Sequence, residues 1–140
     1  MPIPDLPAYS QLVYALPSVY HSIQSSTLVL APIGATLAKL EGQLTFASEV
    51  VLDVWELVDF EQGRIRNYSY EIRQAGEKLA WYDPFEHPHI PALASTHPHH
   101  KHIQPDIKHH RIPAPGISFE QPNLPYLIEE IEREVLGAKG

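Results

Sequence analysis

The chain of 140 residues contains no cysteine. Disulfide frameworks, thiolate zinc sites and cysteine nucleophiles are therefore excluded. No apolar run approaches the roughly 20 residues that a helix needs to span a bilayer. The N-terminal stretch from Met1 to Pro7 has no basic region and holds three prolines, so no cleavable secretory signal is expected. Positive charge is also scarce. Ten Lys and Arg stand against seventeen Asp and Glu, a formal net charge of −7. That balance disfavours a general nucleic-acid binder. A single domain over residues 1–140 is expected, in the cytoplasm.

Proline and histidine are abundant. The nine histidines are unevenly spread, and eight lie within residues 84–112. This segment carries three basic and two acidic side chains, whereas residues 1–83 carry five and ten. With a histidine pKa near 6.5, mild acidification makes the segment cationic. It is the natural place to look for an anionic ligand.

Four regions follow from the pattern. Residues 1–24 are punctuated by proline, with a short helix expected from Pro7 to Leu16. Residues 26–83 read as antiparallel sheet, with strands at Thr27–Ala31, Thr36–Ala47, Val50–Phe60, Arg64–Gln74 and Lys78–Asp83. The breaks Ser48-Glu49, Gln62-Gly63 and Ala75-Gly76 resemble two-residue hairpin turns. Those turns set Phe46 opposite Val51, Trp55 opposite Tyr70, and Tyr70 opposite Trp81. They predict one apolar face of Leu40, Leu44, Phe46, Val51, Trp55, Leu57, Tyr68, Tyr70, Ile72, Leu79 and Trp81. Leu52, Val54, Val58 and Phe60 then fall on a mixed second face beside Glu56. If open, that face would suit a partner protein or a second copy of the chain.

Residues 84–121 lose periodicity and read as a long Pro/His-rich loop. Residues 123–136 regain a helical pattern. Asn123 is the expected N-cap, Leu124, Leu127, Ile128, Ile131 and Val135 form the stripe, and Glu129, Glu130, Glu132 and Glu134 face water. The fold expected is α+β: a twisted antiparallel sheet of four to five strands, packed by a C-terminal helix and a short N-terminal helix.

Three separated stretches carry a resemblance. Tyr68-Ser69-Tyr70, then Trp81-Tyr82-Asp83, then Pro98-His99-His100-Lys101-His102 resemble the TumE family of toxins from prokaryotic toxin–antitoxin pairs. The match runs from about Thr36 to Val135, and its histidine segment is the most specific part. Pro84-Phe85-Glu86 departs from the small polar run usual after the tyrosine-aspartate pair. The resemblance implies a cytoplasmic toxin of a type II system, neutralised by a helix-turn-helix antitoxin encoded beside it.

The histidines admit three chemistries. Metal-free RNA cleavage needs a base for the 2′-hydroxyl, an acid for the leaving oxygen and cations for phosphate. His99, His100 and His102 would supply acid and base, and Asp83 would orient an imidazole. Lys101, Arg66 or Arg73 would contact phosphate, and Tyr82 would stack on a base. On this reading no cofactor is needed and His100 with His102 converge from one side of an extended segment. Alternatively the histidines hold a metal, although no recognised zinc spacing is present. Or they are structural, satisfying loop carbonyls; this is the reading for His21, His87, His109 and His110.

Overall fold

The computed structural model describes residues 2–84, 99–104 and 111–137. Helix α1 spans Leu6–Val19. Asp5 caps it, its side chain accepting from the Ala8 amide at 3.0 Å, and Pro7 sits in the first turn where no amide is missed. Tyr9, Val13 and Leu16 form its buried stripe. The strands follow as β1 (Ile23–Ser26), β2 (Val29–Ile33), β3 (Leu37–Phe46), β4 (Val50–Asp59), β5 (Arg64–Gln74), β6 (Glu77–Asp83), β7 (His100–Ile103) and β8 (Arg111–Pro113). Helix α2 spans Leu124–Glu130 and continues as a π-helix over Ile131–Leu136.

The described residues build one sheet of eight antiparallel strands. β1 and β2 lie beside different halves of β3, and the order then runs through β4, β5, β6, β7 and β8. The chain steps from β1 to β2 directly across Gly42. A Cβ there would sit 2.5 Å from the Thr27 carbonyl oxygen, so no larger residue fits. The α+β class and the C-terminal helix agree with the sequence. The strand count of four to five does not, because β1, β7 and β8 add to it. The histidine segment is not loop: His100–Ile103 pairs with β6, and Arg111–Pro113 pairs with β7.

The register differs from the expected one by a single residue in each hairpin. The first turn has three residues, Ala47–Glu49, so Val51 opposes Thr45 rather than Phe46. In the next hairpin the turn has four residues, 60–63, rather than two, and a bulge at Arg66 follows it, so Tyr70 opposes Val54 rather than Trp55. The Ala75-Gly76 turn does have two residues, but a bulge at Leu79 moves Tyr70 opposite Tyr82 rather than Trp81. One inserted residue exchanges the faces of a whole strand. The inner face is therefore Leu40, Leu44, Phe46, Leu52, Val54, Val58, Tyr68, Tyr70, Ile72 and Tyr82, all buried. Leu52, Val54 and Val58 belong to the core and offer no partner surface. Trp55 and Trp81 stand on the outer face.

Both helices cover the inner face. Tyr9 of α1 reaches Glu56 on β4, and α2 lays Leu124, Leu127, Ile128 and Ile131 into the core. Asn123 stands at the N-cap of α2, as expected, but its side chain makes no capping bond. Its amide nitrogen donates to the Tyr70 hydroxyl at 3.0 Å and to the Ser118 carbonyl at 2.9 Å, tying the preceding loop to the sheet. Glu130 is not in water either, but 5 % exposed against β6 and β7.

Candidate active site

Alternation along β7 decides where its side chains go. His100 and His102 oppose Asp83 and Trp81, on the outer face, while Lys101 opposes Tyr82 on the inner one. His99, just before the strand, is on the Tyr68 side. The expected proximity of His100 and His102 on one side is met geometrically, with Lys101 directed away from both.

On the outer face His102 Nε2 donates to Asp83 Oδ1 at 3.3 Å. The His102 ring stacks on Trp81 with centroids 4.7 Å apart, and Trp81 Nε1 donates to Ser69 Oγ at 3.1 Å. The His102 side chain is 3 % exposed and Asp83 14 %. Asp83 is the member of this pair that meets a cleft of about 400 Å³, lined by Trp55, Asn67, Tyr68, Ser69, Trp81, Asp83 and Pro84. His100 is fully buried and lies outside that lining.

At the same corner the Tyr68 hydroxyl meets His99 Nδ1 at 2.6 Å, with the two rings stacked at 5.8 Å. Burial, and then the nearby Asp83 carboxylate, push the Tyr68 phenol well above its ordinary range. A phenol held neutral can donate to the nitrogen of a neutral imidazole or accept from an imidazolium, so this contact serves His99 in either state. Phe119 packs against His99 at 4.6 Å, and the Arg64 guanidinium lies 5.1 Å from the Phe119 centroid. Two hydrogen-bonded pairs, Tyr68 with His99 on the inner side and Asp83 with His102 on the outer side, thus flank the point where β6 ends and β7 begins.

Arg66 and Arg73, the expected phosphate contacts, are engaged by carboxylates. Arg66 Nε lies 3.1 Å from Asp59, and Arg73 pairs with Asp53. Tyr82 is 1 % exposed, so it is not a surface stacking platform; the register shift puts Trp81 on the outer face instead. Arg64 and Phe119 were not legible as site residues, since nothing in their local sequence marks them. Their link to His99 arises because the Phe119 carbonyl accepts from the Ile65 amide at 2.6 Å. His87, His89, His97, His109 and His110 lie outside the described residues. Among the described residues no three His, Asp or Glu side chains gather to hold a metal ion.

On the inner face Lys101 joins a second cluster. Its Nζ lies 3.4 Å from Glu130 and 3.9 Å from Glu134, and the Tyr82 and Tyr126 hydroxyls both donate to Glu130. Burial, with Glu134 beside it, raises Glu130 to about 7, and burial lowers Lys101. A carboxyl whose folded pKa exceeds its ordinary 4.5 binds more protons folded than unfolded, so stability falls as pH rises through that interval. The melting temperature should decline between about pH 4.5 and about 7, and Glu130→Gln should flatten part of that decline. An identical slope in the variant would show that Glu130 does not carry it.

No helix among the described residues is long and apolar enough to cross a membrane. A family model described as Toxin TumE matches residues 17–135. No curated protein matches the chain, and no solved structure does.

Proposed function

Since the chain belongs to the TumE toxin family, we propose that it is the toxin of a type II toxin–antitoxin pair and that it cleaves RNA in the cytoplasm by metal-free acid–base chemistry. The observation that carries the chemical part is a convergence. Tyr68, Asp83, His99 and His102 come from three separate stretches of sequence and form two adjacent hydrogen-bonded pairs, near enough for the Asp83 carboxylate to act on the Tyr68 phenol.

The roles follow from position. Asp83 in the cleft wall takes the proton of a ribose 2′-hydroxyl, with His102 behind it holding the carboxylate in place. The 2′-oxygen then bonds to phosphorus and the bond to the 5′-oxygen breaks. His99 delivers the proton that the leaving oxygen needs, while Tyr68 fixes the ring from Nδ1. Arg64, over the Phe119 ring that packs on His99, supplies a cation for the phosphate charge. The products are a 2′,3′-cyclic phosphate and a free 5′-hydroxyl. The neutralising partner is a helix-turn-helix protein from the adjacent gene, and the basic surface such a protein needs for DNA suits this acidic chain.

Controlled expression tests the reading. Growth should slow on induction and recover when the adjacent gene is co-expressed. Unchanged growth at confirmed soluble expression contradicts it.

A further inference from the structure

Both tryptophans of the chain, Trp55 and Trp81, line the same cleft, together with Tyr68 and the Asp83 carboxylate. Asn67 and Ser69 supply polar edges. Two indoles and a carboxylate around one concavity form a site for a cation, since the aromatic faces are negative and the acid sets the charge. The chain already uses one of these rings in that way. Lys78 Nζ lies 5.4 Å from the Trp81 ring centroid, and it is held there by Glu71 at 3.0 Å. The cations of the surrounding face are likewise balanced: Arg73 pairs with Asp53, and Lys39 lies 3.4 Å from Glu41.

The ligand's form can be narrowed. Trp81 is fixed by its bond to Ser69 and its stack on His102, so the wall is preorganised and flat. A flat group suits a flat wall. A guanidinium is planar, weakly hydrated, stacks on indole and pairs with a carboxylate through two parallel N–H donors. An ammonium is compact and loses more hydration on entry. With a net charge of −7, the chain favours a basic partner.

We propose that the cleft is the seat of an arginine side chain presented by the antitoxin, its guanidinium stacked against tryptophan and paired with Asp83. That pairing occupies the carboxylate that takes the substrate proton, so a single side chain silences the site. The silencing rests on the proposed role of Asp83; the binding does not.

Because both tryptophans lie at the site, intrinsic fluorescence reads occupancy directly. The purified chain is titrated with N-acetyl-arginine amide at constant ionic strength. A saturable change with a dissociation constant on the order of 1–10 mM is expected of one stacked, paired guanidinium. Asp83→Asn should weaken it at least about tenfold. Trp55→Ala, read through Trp81, should do the same and serves if the first variant does not fold. N-acetyl-lysine amide should bind more weakly, and guanosine monophosphate should not saturate. The proposal is overturned by no saturable change up to roughly 100 mM, by a change indifferent to both variants, or by tighter binding of the nucleotide, which would make the cleft a base subsite. If the wild-type chain is itself not toxic, the functional reading fails while the titration still decides the arginine site.

Discussion

Replacing Asp83 with asparagine should lower RNA cleavage by about 10²–10⁴-fold, the usual effect of removing a proton-transfer group, and toxicity should disappear with it. Asparagine keeps the shape and the ability to accept from His102 Nε2 but cannot take a proton. The variant should therefore melt close to the wild type. His99→Gln should produce a loss of similar size through the opposite half of the reaction, since the leaving oxygen then departs unprotonated. Tyr68→Phe should act more mildly, because it removes only the bond that orients His99 at 2.6 Å. His100→Ala behaves differently on this account. Its side chain is fully buried and has no role in the proton transfers proposed for Asp83 and His99, so the substitution should reduce stability, and cleavage per folded molecule should persist. Assaying the four purified variants by RNA cleavage and thermal unfolding separates chemistry from folding. Full cleavage by Asp83→Asn would remove Asp83 from the mechanism.

The largest effect on stability should come from Glu56. Its carboxyl is completely buried on the inner face and receives the Tyr9 hydroxyl on one oxygen and the Tyr70 hydroxyl on the other, each at 2.5 Å. Asn123 continues the network by donating to Tyr70. One carboxyl thus ties α1, β4, β5 and the loop before α2 together. Glu56→Ala leaves two buried hydroxyls without an acceptor and opens a void, a cost of roughly 3–5 kcal/mol. That is a large part of the 5–15 kcal/mol that domains commonly possess. Glu56→Gln retains the shape and one acceptor oxygen, so its cost should be about 1–2 kcal/mol. Burial pushes Glu56 above the usual carboxylate range, against the two phenol bonds that lower it. The folded chain again holds the proton more tightly than the unfolded one. Stability contributed by the neutral acid is full below the ordinary range and declines as pH rises toward the folded value. Urea unfolding across pH should show this slope reduced in Glu56→Gln. A Glu56→Ala chain as stable as the wild type would contradict the network's role.

How much of this was legible in the sequence depends on the element. The strands from β3 to β6 were, because β-branched and aromatic runs alternate between turn residues. α2 was, because its apolar residues recur at helical spacing. The faces of β4 and β6 were not. A bulge such as Leu79 or Arg66 is a backbone event with no marker in residue type, and each one inverts the alternation beyond it. Three assumed turn lengths agreed on one apolar face only because Trp55, Leu57, Leu79 and Trp81 are themselves apolar. The same slip hid the cleft, whose tryptophans were assigned to the core, and brought Glu56 into the core from the mixed face. At the site, the pairing of Asp83 with a histidine was anticipated from residue chemistry. The separation of Lys101 from His100 and His102 follows from β7 being a strand, which proline-rich flanks conceal. Glu130 was read as a wet-face acid because its neighbours are; only the position of Lys101 on β7 explains why it turns inward.

The most direct test of the account is the chemistry of RNA ends. Wild-type protein, purified without nickel chromatography and assayed in the presence of a chelator, is incubated with single-stranded RNA, and the new termini are mapped. The account predicts 2′,3′-cyclic phosphate paired with 5′-hydroxyl, lost in Asp83→Asn and His99→Gln at unchanged melting temperature. Termini bearing 3′-hydroxyl and 5′-phosphate, cleavage abolished by the chelator, or intact RNA from a preparation that arrests growth would contradict it.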